Sequence, residues 1–142
     1  MENDTCECQY LLDEVIYFKR AIELDSSDIT VIVSIARIYS QLKYYKTADK
    51  YFKMARGIDE TDVFYLMEMA KHLLNQNRFT ESIEYFDRIL QIDSELAEAL
   101  MYKSMALSEI GRDFESEDCF NKAIELDPDS INLFDDVLTI EE

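Results

Sequence analysis

Apolar side chains recur along this chain at the spacing of helices. Between residues 63 and 96, Leu66, Met69, Ala70 and Leu73 stand at i, i+3, i+4 and i+7, which puts them on one buried stripe of an amphipathic helix. Asn77 marks a turn, and a second helix is predicted from Phe79 to about Ile92, with Ser82, Phe86, Ile89 and Leu90 inward and Glu81, Glu84 and Asp87 outward. Asp93-Ser94 closes it. The same pair of helices recurs on either side. Residues 29–62 carry it with Ile32, Ile35, Ala36, Tyr39, Tyr45, Ala48, Phe52 and Ala55, and residues 97–130 with Leu100, Leu107, Gly111, Phe114, Phe120, Ala123 and Pro128.

The recurrence has a fixed period. Phe18, Phe52, Phe86 and Phe120 are 34 residues apart (52−18, 86−52, 120−86), and Asp25, Asp59, Asp93 and Asp127 follow the same step. Between them run Ala21, Ala55, Ile89 and Ala123, then Leu24, Ile58, Ile92 and Leu126. A period of this length predicts stacked helical hairpins. Small residues (Ala36, Ala48, Ala70, Ser82, Ser104, Ser116) stand where helices approach, and the Phe column fills the space beside them, so large-beside-small packing sets the hairpin angle. Asn77 and Gly111 tolerate φ > 0 at the interhelix turn. Lys43 holds the same position without that tolerance, which predicts a strained turn or another geometry.

The array is incomplete at both ends. Residues 9–28 supply only the second helix of a first unit, about Tyr10 to Leu24, and residues 131–142 read as a C-terminal capping helix with Phe134, Val137 and Leu138 in register. The whole chain is expected to be one domain.

The small-residue and aromatic pattern resembles the tetratricopeptide repeat family, most clearly in Leu100, Leu107, Gly111, Phe114, Phe120, Ala123 and Pro128. Departures are Lys103 where the motif prefers Leu, Ser26, Glu60 and Ser94 in place of Pro, and Ser82 and Ser116 in place of Ala. The resemblance implies an all-α fold, a right-handed superhelical array of antiparallel helix hairpins, and a concave groove, lined by first helices, that holds a partner's peptide.

Composition narrows the function classes. Two Gly and one Pro in 142 residues leave little room for linkers. A net charge of −17 disfavours nucleic acid and anionic membrane as partners, and no apolar run is long enough to span a bilayer. The acidic Met1-Glu2-Asn3-Asp4 is unlike a secretory signal, so a cytoplasmic protein is expected. Cys6, Cys8 and Cys119 suit neither a disulfide framework nor a zinc pair, and reduced thiols are expected. Charge is also uneven. Residues 29–57 hold Arg37, Lys43, Lys46, Lys50, Lys53 and Arg56 against Asp49, whereas residues 113–142 hold 11 acids against Lys122.

Three surfaces are candidates. Mapped onto the family's groove, Val33, Arg37, Phe64, Met67, Lys71, Met101, Tyr102 and Met105 form the first. Phe64, Met67, Met101 and Met105 are expected to be exposed as an adaptable apolar patch for an amphipathic helix, with Arg37 and Lys71 meeting its acids; the bland alternative packs some of these methionines between helices. The carboxylate clamp that some family members use on chaperone tails is absent, since its positions read Val33, Arg37, Glu68, Glu98 and Tyr102 and two glutamates repel such a tail. The second surface is the stripe Lys43, Lys46, Lys50 and Lys53, either a dock for an acidic partner, including the acidic region of another copy, or a solvated face that pairs with acids such as Glu81 and Glu84. The third is the uncovered N-terminal helix, where Tyr10, Leu11, Val15 and Phe18 offer apolar surface for self-association.

Catalysis finds no support: His72 has no sequence-local nucleophile and is expected to be a partly exposed structural residue, and there is no phosphate loop or metal-spaced cluster. The expectation is therefore a non-catalytic adaptor without cofactors that binds another protein or peptide segment through the groove, with homo-oligomerisation left open. The alternative is a self-assembling scaffold built on its N-terminal helix and charge blocks.

Overall fold

The computed structural model describes residues 2–133, with side chains from Cys6 onward. They form seven helices: α1 (Glu2–Leu24), α2 (Ile29–Gln41), α3 (Tyr45–Ile58), α4 (Val63–Asn75), α5 (Phe79–Ile92), α6 (Ala97–Glu109) and α7 (Asp113–Leu126), then a 3-10 turn at Pro128–Ser130. The starts of α2, α4 and α6 and of α3, α5 and α7 each repeat at the 34-residue step of the sequence. Helix α1 begins at Glu2, well before the predicted start near Tyr10. Ile131–Leu133 are helical, and the remainder of the predicted capping helix, with Phe134, Val137 and Leu138, lies outside the described residues.

The sharp turn inside each hairpin has one geometry. Lys43, Asn77 and Gly111 take φ of 67°, 60° and 81°, and the next residue's N–H reaches back to the helix, Tyr44 to the Tyr39 carbonyl, Arg78 to that of Leu73 and Arg112 to that of Leu107, each at 2.9 Å. This is the left-handed C-terminal cap that satisfies carbonyls at a helix end. Lys43 adopts it despite its Cβ, so of the two outcomes open for that turn the strained one is realised.

The aspartate column closes the other corner, between hairpins. Asp25, Asp59, Asp93 and Asp127 each accept, on Oδ1, the backbone N–H two residues on, at 3.0, 2.9, 3.0 and 3.0 Å. Such a turn needs no proline, which accounts for Ser26, Glu60 and Ser94 at the motif's Pro position. Asp28 and Asp62 then cap the next helices, accepting from Thr30 at 3.1 Å and Tyr65 at 2.8 Å.

Packing divides the molecule into two compact units, up to Glu68 and from Met69. In the first, Val15 of α1 packs with Ile35 and Ile38 of α2, flanked by Leu11, Phe18 and Ile22. Phe52 is buried beside Ala48 and Ala55, which present no side chain beyond Cβ, and its ring lies 6.4 Å from that of Tyr65. In the second unit Ile83, Ala106 and Leu107 form one cluster and Leu100, Met101 and Ala123 another. Ser104 and Ser116 join α6 to α7 through hydrogen bonds between the two helices.

Two departures from the repeat pattern are resolved here. Lys103 pairs with Asp87 of α5 at 2.6 Å, so an ion pair replaces the apolar contact of a leucine. Phe114, which stands at a motif position in the sequence, is 86% exposed. Its counterparts at the 34-residue step are Lys46 and Thr80, whereas half-buried Tyr45 and Phe79 correspond to Asp113. One residue along a helix turns a side chain by about 100°, and the aromatic thereby faces solvent.

Candidate functional site

The face carried by the first helices is less open than the sequence suggests. Val33 and Met101 are fully buried and Met67 nearly so. In α2 the buried run Ile32–Ala36 is unbroken, and in α4 so is the run Tyr65–Glu68. Consecutive buried residues span more than one helical stripe, as in a helix covered on several sides. The expectation that Met67 and Met101 are exposed is therefore corrected, and these two methionines serve the packing.

What stays accessible in the second unit is a compact cluster. Tyr102 of α6 stacks on buried Phe86 of α5, with centroids 6.1 Å apart and rings 6° from parallel. The Lys71 ammonium from α4 sits 5.0 Å from the Tyr102 ring centroid and 2.9 Å from Glu98 Oε1. One cation thus contacts an aromatic face and a carboxylate together. Lys71, Glu98 and Tyr102 are half-buried, as is Met105, one turn beyond Tyr102 and packed on the Leu100–Met101–Ala123 cluster. Lys71, expected to meet a ligand's acids, is paired with Glu98 of its own chain. In the first unit Arg37 and Phe64 are half-buried.

The lysine stripe also changes shape. Lys46, Lys50 and Lys53 project from the exposed side of α3, opposite Ala48, Phe52 and Ala55, whereas Lys43 lies in the turn before that helix. Among the described residues no carboxylate pairs with Lys46 or Lys53, and Lys50 lies 5.9 Å from the Tyr51 ring centroid. Glu81 is engaged by Arg78, at 2.9 Å from Nε, and Glu115 by Arg112 in the same i,i+3 arrangement. The guanidinium holds each carboxyl below its usual range, chiefly by hydrogen bonding.

On α1 the predicted apolar set faces inward. Val15 is buried and Leu11 and Phe18 pack around it, because they stand on the stripe that α2 covers. The exposed large apolar residues of α1, among those described, are instead Tyr10, Leu12, Ile16, Tyr17 and Leu24; of the four candidates only Tyr10 is among them.

His72 is 1% exposed, contrary to expectation, and Gln76 Nε2 lies 3.0 Å from its Nε2 and 3.3 Å from its carbonyl oxygen. The imidazole is thus buried and held by a residue just past the end of α4. Cys119 is half-buried, and burial is the main cause that pushes its thiol up. Among the described residues no helix is long and apolar enough to cross a membrane.

Helical hairpins with one left-handed turn and one aspartate corner per repeat define the class, a helical repeat fold. The family model described as tetratricopeptide repeat matches residues 29–62 and 97–130, so these two hairpins are similar to tetratricopeptide repeats. No curated protein matches the sequence. Solved structures share its fold. MamA 41-end from Desulfovibrio magneticus RS-1 superposes with a TM-score of 0.74 at 14% identity, over 90% of this chain and 74% of that one. The structure designated MamA MSR-1 C2 gives 0.68 at 21% identity, over 85% and 70%.

Proposed function

We propose that this protein is a non-catalytic interaction module that receives an amphipathic segment of another protein on the α6 face of its second unit. The observation that carries the reading is the Lys71–Glu98–Tyr102 cluster beside Met105, half-exposed and ordered by stacking on Phe86. A polarizable thioether next to an aromatic ring suits an apolar side chain of varied shape, and the adjacent ion pair offers a cation and an anion that fix a ligand's direction. Helices laid into grooves are recognised by such anchors spaced along one face.

The test is fluorescence anisotropy with a panel of labelled amphipathic helical peptides, differing in terminal charge, against wild type and a Tyr102→Ala, Met105→Glu variant. Selective binding that the variant loses while keeping its helical circular dichroism supports the reading. Absence of binding across the panel, or equal binding by the folded variant, overturns it.

A further inference from the structure

The solvent faces of α3 and α7 are made of complementary residues at identical spacing. On α3, Lys46, Lys50, Lys53 and Gly57 fall at i, i+4, i+7 and i+11 (50−46, 53−46, 57−46), and all four are exposed. On α7, Phe114, Asp118, Asn121 and Glu125 fall at the same offsets (118−114, 121−114, 125−114), and all four are exposed. Steps of 4, 3 and 4 trace a straight seam suited to pairing with a second helix.

Laid antiparallel, the two seams meet without a slip in register. Lys46 opposes Glu125, Lys50 opposes Asn121, Lys53 opposes Asp118 and Gly57 opposes Phe114. Two opposite-charge pairs form, and the one aromatic of the acidic seam meets the one position of the basic seam that lacks a side chain. In the parallel arrangement a single charge pair remains, Lys50 with Asp118, and Phe114 meets Lys46.

Independent features of each face agree with this. Gly57 has nothing within 4 Å of where a Cβ would stand, so internal packing gives no reason for a glycine that weakens a helix by roughly 0.5–1 kcal/mol relative to Ala. A close approach from outside does give one. Phe114, 86% exposed, is the largest apolar surface on α7. Among the described residues, Lys46, Lys53, Asp118 and Glu125 have no ion-pair partner. The corresponding face of α5, residues Thr80, Glu84, Asp87 and Gln91, is a poorer match, since Lys103 already engages Asp87 at 2.6 Å and a threonine stands where the aromatic would be.

We infer that this protein self-associates by antiparallel pairing of α3 in one copy with α7 in another, Phe114 seating over Gly57 and Lys46 and Lys53 facing Glu125 and Asp118. The contact joins two different surfaces of the chain and is therefore heterologous, producing either a closed ring or an extending series of copies. It uses neither the α6 cluster nor the α1 surface.

Sedimentation equilibrium of the full chain tests this, run at about 0.1 M salt, where a Debye length of about 10 Å damps the general repulsion between acidic molecules. The mass is expected to rise above the 16.7 kDa of one chain as concentration increases. Phe114→Ser is expected to weaken association roughly 30-fold, the loss typical of a buried aromatic anchor. Gly57→Gln is expected to weaken it comparably while leaving the helical circular dichroism unchanged or stronger. Lys53→Glu alone weakens association, and combining it with Asp118→Lys restores most of it. A wild type that stays at monomer mass to its solubility limit overturns the inference, as does association that Phe114→Ser and Gly57→Gln leave intact.

Discussion

The hydroxyls of Ser104 and Ser116 lie 3.2 Å apart between α6 and α7, and each donates to the other residue's backbone carbonyl, Ser104 at 3.0 Å and Ser116 at 2.8 Å. The tetratricopeptide motif favours alanine at the second of these positions, yet here two buried hydroxyls satisfy one another across the hairpin. Ser116→Ala is expected to destabilise the protein by about 1 kcal/mol, the net worth of a typical buried hydrogen bond, and Ser104→Ala, Ser116→Ala by less than the sum of the singles. Urea unfolding measures both. A neutral Ser116→Ala would mean that only the small size of the serine matters.

Lys43 occupies a left-handed turn that its repeat counterparts assign to Asn77 and Gly111. The left-handed region costs an ordinary residue about 1–2 kcal/mol, and asparagine tolerates it better. Lys43→Asn should therefore raise stability by about 0.5 kcal/mol, seen as a higher thermal midpoint. No gain, or a loss, would place the strain of this turn elsewhere.

The corner aspartates make stability depend on pH. Hydrogen bonds from the Ser27 hydroxyl and backbone N–H, and from those of Thr61, lower the carboxyls of Asp25 and Asp59. A carboxyl lowered by folding stabilises the protein fully above its unfolded value, near 3.8, and that contribution disappears as pH falls through the lower folded value. Stability should thus decline on acidification from about pH 5 toward pH 2. Thr61→Val removes the larger of the two bonds to Asp59 and should flatten this acid limb; an unchanged slope would show that the corner does not couple to folding.

Burial separates two methionines four residues apart. Met101 is fully buried and Met105 half-exposed, so Met101→Glu forces a charge into an apolar core and is expected to cost 3 kcal/mol or more, roughly. Met105→Glu should fold normally. Thermal melts of the two variants decide it, and similar melting would return Met101 to the surface.

The aspartate column was visible in the sequence as a bare periodicity, and its meaning required the backbone. The 34-residue step, the helix type and the positions of the turns follow from residue order alone, because helical spacing, a residue that tolerates φ > 0 and helix-ending corners are local properties of a few neighbouring side chains. Hence the helix boundaries repeat with the predicted step, and Phe52 and Phe86 lie where the column places them.

Which side of each helix meets solvent was legible only in part. One stripe of α1 was read as open although α2 covers it, and Val33, Met67 and Met101 were placed on a surface although they are buried. Periodicity identifies the apolar stripe of an isolated helix, but it cannot count how many neighbours enclose that helix. Phe114 shows the same limit, since its family-like identity concealed a displacement of one residue that only the helix's rotation reveals. From sequence alone came the repeat, the fold class and the two charge blocks. Tertiary structure alone decided which first-helix residues remain accessible, that Lys71 is held by Glu98 beneath Tyr102, and that a bare glycine and an exposed aromatic stand on matching seams. The reason is physical: hydrogen-bonded turns and helices are made by neighbours in the chain, whereas burial, stacking and charge pairing are made by residues that folding brings together from different helices.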